Sequence, residues 1–173
     1  QFERYDSILA FSPDGGRMIC SQNGAELLLC DVASGTEIRR MKKPYYGGGA
    51  DHVAFSPEGK TVVSGGTDGV ILWDIASGAM IHRFEGTYPS ESNMSGPCVA
   101  FSPDGSTVLS ADAGEKLMLW DPKTGKPVRV FEQDAESPQD VIRGATFHPD
   151  GRTALTCGKR LVLWDVKTGR KIR

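Results

Sequence analysis

Few side chains in this sequence could do chemistry near neutral pH, and they are scattered. Three histidines (His52, His82 and His148) and four cysteines (Cys20, Cys30, Cys98 and Cys157) are the candidate bases, nucleophiles and soft metal ligands. A structural zinc site would need a C-x-x-C pair or a histidine at matching short spacing, and neither occurs. Without such partners the cysteines read as buried thiols, which favours a reducing, cytoplasmic compartment. Gly59-Lys60-Thr61 has the ending of a phosphate-binding loop, but Ala54 stands where that loop needs its first glycine, and no helix can follow. His52, preceded by Asp51 near the start of a first strand, reads as a structural histidine ahead of a catalytic one. Asn93-Met94-Ser95 matches a glycosylation sequon, which matters only in a secretory setting. No catalytic, metal or cofactor-binding residue is assigned, and the chain is read as a non-enzyme.

Composition narrows the partners. The 173 residues are 39% hydrophobic with a formal net charge of −2, enough for a core and too balanced to draw nucleic acid electrostatically. No apolar run approaches a membrane span, so membrane insertion is not expected.

The elements that position these residues repeat. Phe11-Ser12-Pro13-Asp14-Gly15 recurs as Phe55-Ser56-Pro57-Glu58-Gly59, Phe101-Ser102-Pro103-Asp104-Gly105 and Phe147-His148-Pro149-Asp150-Gly151. A second anchor follows each, as Cys30-Asp31, Trp73-Asp74, Trp120-Asp121 and Trp164-Asp165. A fixed period of this length means stacked supersecondary units. Between the anchors lie short β-branched runs such as Thr61-Val62-Val63-Ser64 and Val70-Ile71-Leu72-Trp73, bounded by Gly, Asp and Ser. Each Pro-acid-Gly sets a tight reversal, so every repeat is expected to be a four-stranded antiparallel meander. The acids of these turns, and the Asp after each Trp, are explained by capping local backbone N–H groups.

Phe-Ser-Pro-Asp-Gly followed by Trp-Asp at this period resembles the WD-repeat family of β-propellers, and the resemblance covers essentially the whole chain. It implies an all-β fold of four blades, at about residues 6–41, 50–84, 97–131 and 142–173, with residues 1–3 completing an outer strand. The family's usual Gly-His pair is missing, since Tyr46, Ser92 or Pro138 stands in its region, so the hydrogen-bond network built on that pair, a Ser, an Asp and the Trp is expected to be absent. Cys30 replaces a Trp, which marks the first blade as the most diverged. Phe55, Phe101 and Phe147 and the three tryptophans are expected to be buried. Cations on the outer strands, among them Arg39, Arg40, His82, Arg83, Arg129, Lys171 and Arg173, read as a solvated edge that opposes aggregation.

The resemblance also implies that the inter-blade links share one face of the disc. They read KKPYYGGG over 42–49, EGTYPSESNMSG over 85–96 and EQDAESPQD over 132–140. Loops on a rigid scaffold are where binding concentrates, and Tyr45, Tyr46, Tyr88 and Met94 are residue types that anchor interfaces. With His52 and Arg143 they make the candidate partner-binding set. The function expected is a protein- or peptide-binding scaffold, with a regulatory or sensor domain of a larger protein as the alternative. Four blades at roughly 45 to 60° each make an open arc. A fragment of a seven- or eight-blade ring is therefore expected, ahead of a homodimer in which Gln1-Phe2 completes the partner's last strand, and ahead of a compact four-blade ring.

Overall fold

The computed structural model describes residues 7–22, 26–42, 50–86, 96–111, 116–131 and 142–173. Among them every regular element is a strand, and the strands form separate antiparallel sheets. The first sheet is β1 (Ser7–Phe11), β2 (Arg17–Gln22), β3 (Glu26–Asp31) and β4 (Glu37–Lys42). The second is β5 (Ala50–Phe55), β6 (Thr61–Gly66), β7 (Gly69–Asp74) and β8 (Met80–Phe84). The third is β9 (Cys98–Phe101), β10 (Val108–Ala111), β11 (Leu117–Trp120) and β12 (Pro127–Val130). The last contains β13 (Gly144–Phe147), β14 (Thr153–Cys157) and β15 (Leu161–Asp165). Here the four-strand expectation needs correcting: the fourth strand is reduced to residues 171–173, where Lys171 bridges Trp164 and Ile172 N–H donates to the Leu163 carbonyl. Residues 1–3 lie outside the described residues.

Each sheet is a blade with two apolar faces, because a β-strand sends alternate side chains to opposite sides. In the second blade Val62, Ile71 and Trp73 pack on the first blade, while Val63, Val70, Leu72 and Phe84 pack on the third. In the fourth, Ala154 and Trp164 meet Leu109, Leu119 and Phe131 of the third. Trp73, Trp120 and Trp164 are 0, 1 and 4% exposed, as their positions required. The phenylalanines depart from expectation. Phe147 is buried as expected, but Phe55 and Phe101 are only half-buried, packed at the margin of the core each shares with the preceding blade; Phe11, at the same repeat position in the first blade, is 58% exposed.

The expected loss of the buried network also needs correction. Each indole N–H donates to a hydroxyl on the neighbouring strand: Trp73 to Ser64 at 2.9 Å, Trp120 to Ser110 at 2.8 Å and Trp164 to Thr156 at 2.9 Å. A buried indole N–H without a partner costs free energy, so the Ser or Thr is fixed by the Trp it serves. This pairing needs no histidine. The first blade substitutes both members at once, with Cys20 in the hydroxyl place and Cys30 in the indole place, both buried. Burial pushes the Cys20 thiol up to about 12, with Cys30 beside it adding to the effect.

Two sets of contacts register blade on blade. On the outer strands, Arg39 donates to the Ser77 carbonyl at 3.3 Å, His82 Nε2 to Lys123 at 2.9 Å and Arg129 to Thr168 at 3.3 Å. These side chains latch onto the next blade rather than forming a merely solvated edge. Each lies over a glycine of positive φ (Gly78, Gly125 or Gly169), where an added Cβ would stand only 2.8, 3.2 and 2.9 Å from the latch. The second set joins turn to turn: Pro13, Pro57 and Pro103 pack beside Gly59, Gly105 and Gly151 of the following blade.

The turns themselves are closed by carboxylates. Asp74 accepts from Ser77 N–H at 2.7 Å, and Asp31, Asp121 and Asp165 accept equivalent bonds. Asp14 and Asp104 accept from Ser12 and Ser102. The hydroxyls of Ser34, Ser77 and Thr168 donate to Asp31, Asp74 and Asp165 as well, and these bonds, ahead of the backbone ones, hold the three carboxyls below the ordinary carboxylate range; the Ser12 and Ser102 hydroxyls do so for Asp14 and Asp104, and the Lys123 and Arg152 N–H groups for Asp121 and Asp150.

Trp120→Ala is expected to lower the unfolding free energy by about 3 to 5 kcal/mol, and Ser110→Ala, which orphans the indole N–H, by about 1 to 3 kcal/mol. Chemical denaturation checks both, and a loss below about 1 kcal/mol for Trp120→Ala contradicts the assignment. A second expectation follows from the turns. A depressed folded-state pKa contributes stability above the unfolded value of about 4, which is lost as pH falls through the folded values. The melting temperature should therefore be nearly level from pH 7 to about 5 and fall steadily below about 4. An acid limb as steep in a variant with Asp31, Asp74, Asp121 and Asp165 all changed to Asn would contradict this origin.

Candidate interaction surface

The strand order gives each blade two rims. One carries the Ser-Pro-acid-Gly and Asp-to-Gly turns, and the other carries the starts of the first strands, where the inter-blade links enter. Tyr45, Tyr46, Tyr88 and Met94 fall in those links and lie outside the described residues. His52 and Arg143 are described, and both stand on the link rim at the starts of first strands, in the second and fourth blades. Arg143 is exposed, and its backbone N–H donates to the Cys157 carbonyl at 2.7 Å.

His52 is half-buried, with Nε2 3.4 Å from Sγ of Cys98, the first residue of β9 in the next blade. Its neighbour Asp51 accepts from Gly96 N–H through Oδ2 at 2.7 Å. This seam is drawn tight by small residues. A Cβ on Gly65 would stand 1.9 Å from the Pro97 carbonyl oxygen, and one on Gly96 would stand 2.3 Å from the Gly66 Cα. Two backbones thus touch where the 87–95 link re-enters the sheet, which only glycine permits. The link's return point is pinned by Asp51, His52 and the glycine contact together.

The electrostatics of the seam argue against nucleophilic chemistry there. Burial pushes the Cys98 thiol up to about 11, with Cys157 and Asp51 adding to the effect, so it stays protonated at neutral pH and can donate to His52. Among the described residues no three His, Cys, Asp or Glu side chains are placed to hold a metal ion, and no helix is long and apolar enough to cross a membrane. One thiol departs from the sequence reading: Cys157 is exposed. Its side chain stands over Gly144, on the sheet face that does not meet the third blade.

Sequence reasoning missed a groove on the turn rim. Between the first and second blades a cavity of about 510 Å³ is lined by Ile38 and Ile75 with Arg17, Arg39, Glu58 and Asp74 around them. Its walls come from strands up to some 60 residues apart, so no local pattern announces it. The signal available was the shared register of the repeats, which sets Ile38 of one blade beside Ile75 of the next.

Comparison with known proteins agrees with this geometry. The family described as "WD domain, G-beta repeat" matches residues 47–74 and 91–121. The chain is 36% identical over 84 residues to human Angio-associated migratory cell protein, covering 48% of this chain and 19% of that protein. It is 31% identical over 116 residues to WD repeat-containing protein 82 of Drosophila melanogaster, covering 66% of the chain and 35% of the relative, and 25% identical over 133 residues to Protein groucho of the same species, covering 76% and 18%. The chain therefore spans well under half the length of these relatives. Among solved structures, Kuenenia stuttgartiensis Hydrazine Synthase superposes with a TM-score of 0.78 at 21% identity, over 94% of this chain and 46% of that one, a likeness of fold alone. Residues 47–74 and 91–121 thus match the WD repeat, and the meander sheets carry the fold of β-propeller blades.

Proposed function

We propose that this chain is part of a non-catalytic scaffold that holds another protein, or a peptide, across its link rim. The observation that carries the reading is the seam between the second and third blades. There Asp51, His52 and the Gly65–Pro97 and Gly96–Gly66 contacts fix the base of the link that bears Tyr88 and Met94. A loop held at a rigid base presents aromatic side chains at lower entropic cost than a free one, which favours binding. WD-repeat relatives support an interaction role in general. Tyr45 and Tyr46, with Arg143 on the fourth blade, extend the proposed surface along the same rim.

A second reading has its own support. The matched relatives are far longer than this chain, so the blades can equally serve as the regulatory or sensing part of a larger protein whose activity lies elsewhere. Both readings use the same surface.

Changing Tyr45, Tyr46, Tyr88 and Met94 together to Ser should abolish capture of a protein partner while leaving the melting temperature within a few degrees, as expected of side chains that serve a partner and not the core. A partner retained by the quadruple variant, in a pull-down quantified against the parent, would move the site off the link rim. Turnover of a substrate by the purified chain would overturn the non-catalytic reading.

A further inference from the structure

The first blade departs from the other three at the one patch where those three agree. On the face of β2 and β3 turned away from the second blade, Met18 pairs with Cys30, and Cys20 follows two residues after Met18 on the same face. The matching trios are Val62, Trp73 and Ser64, then Val108, Trp120 and Ser110, then Ala154, Trp164 and Thr156. In those blades the diagonal pair lies within reach, since the indole N–H meets the hydroxyl at 2.8 to 2.9 Å. The first blade puts sulfur at all three positions. Of the chain's four cysteines and five methionines, three of these residues therefore meet on one patch. Met18, Cys20, Leu28 and Cys30 form a packed cluster with Val32 against it, and the four are at most 1% exposed. Filling space does not require this, because valine or leucine would give an apolar patch with no thiol. The thiols also gain little as they stand: Cys30 Sγ is 4.0 Å from the Leu28 carbonyl, a long contact even for a weak sulfur donor.

We propose that Met18, Cys20 and Cys30 form a binding site for a soft monovalent cation, Cu(I). Thiolate and thioether sulfur select Cu(I) over harder ions. Methionine brings in a ligand type outside His, Cys, Asp and Glu, of which the described residues place no metal-holding trio. Among the described residues of this cluster there is no carboxylate, imidazole or amide side chain, so Mg(II) and Ca(II) would find no side-chain oxygen. Zn(II) calls for a tetrahedral set of nitrogen, thiolate and carboxylate ligands, whereas Leu28 and Val32 flank these sulfurs. Charge points the same way. As Cu(I) enters, one thiol proton leaves to solvent and a copper–sulfur bond takes its place; no electron is transferred. The single thiolate cancels the single positive charge, the other two sulfurs coordinate without charge, and no unpaired charge is buried. The pairing suits three sulfurs about one ion, because directly opposite residues have Cβ atoms about 4.5 to 5.5 Å apart, and the unbranched Met18 can turn its thioether toward the thiols. A disulfide suits it less well. Cys20 and Cys30 are diagonal neighbours, whose Cα atoms stand about 7 to 8 Å apart, wider than an S–S bond ordinarily spans. The site owes nothing to the link rim, so it stands or falls apart from the scaffold reading.

The test titrates Cu(I) without oxygen, against a coloured Cu(I) chelator of known affinity, into the 173-residue chain carrying Cys98→Ser and Cys157→Ser. Those changes remove the two thiols outside the cluster, and a serine at 98 can still donate to His52. One Cu(I) should bind per chain, with three sulfur neighbours in the X-ray absorption spectrum of the copper. Losing a residue that merely supports a metal ligand typically costs about 10- to 100-fold in affinity, so losing a ligand should cost at least about tenfold. Met18→Leu conserves volume and keeps the fold, and it should lower the affinity by that factor and leave two sulfur neighbours. Cys20→Ser and Cys30→Ser should each lower the affinity by at least as much. Zn(II) at equal concentration should not displace the copper. A Cu(I) affinity unchanged by Met18→Leu overturns the proposal even if the cysteine variants fail to fold. So does a spectrum with fewer than three sulfurs in the parent, or displacement of the copper by Zn(II).

Discussion

The structure depends on one contact: the tryptophan face of a blade against the aliphatic face of the blade before it. A single blade cannot bury both of its faces, so the chain gains a core only by stacking. The ring contacts show how this is done. Phe84 tilts against Trp120 with centroids 5.3 Å apart, and Phe131 meets Trp164 edge-on at 5.7 Å. Each indole is then held from within its own blade by a Ser or Thr hydroxyl, so one residue serves both the interface and the sheet. The registering latches and prolines add direction. Each of the first three blades reaches forward with Arg39, His82 or Arg129 and with a proline to two glycines of its successor, so the stacking has a direction.

That polarity explains how function and fold divide the surface. The turn rim is occupied by carboxylates closing their own turns and by latches closing on neighbours, which leaves its polar groups mostly engaged in structure. The link rim carries the variable segments. The seam at Asp51, His52 and Cys98 fixes Gly96 against the second blade and holds a thiol protonated. Both features suit a surface that positions side chains for a partner.

Much of this was legible in the sequence because the repeat anchors are physical necessities. Pro-acid-Gly can only reverse a chain, and Val70-Ile71-Leu72-Trp73 can only be a strand buried on both faces, so fold class and blade pattern followed. What escaped were the consequences of cross-blade register. Ser64 and Thr156 look like ordinary strand residues until each is seen two positions along from the residue opposite a tryptophan. Arg39 and Arg129 look like edge charges until a positive-φ glycine is seen beneath them. Cys157 reads as a buried thiol in the sequence because no C-x-x-C pair or histidine partner marks it; its exposure follows from the sheet face it lies on, which does not meet the third blade. Of the candidate partner-binding residues, only His52 and Arg143 fall among the described residues, and the thiol that His52 meets comes from a blade 46 residues along.

The most direct test of the central contact is a double-mutant cycle between Phe84 and Trp120, using Phe84→Leu, Trp120→Leu and the pair, with stability read by equilibrium denaturation. If packing between successive blades carries the fold, the two rings should couple by about 0.5 to 1.5 kcal/mol beyond the sum of their separate losses. Additive losses within about 0.3 kcal/mol would show that the blades are stabilised independently, and would contradict the account.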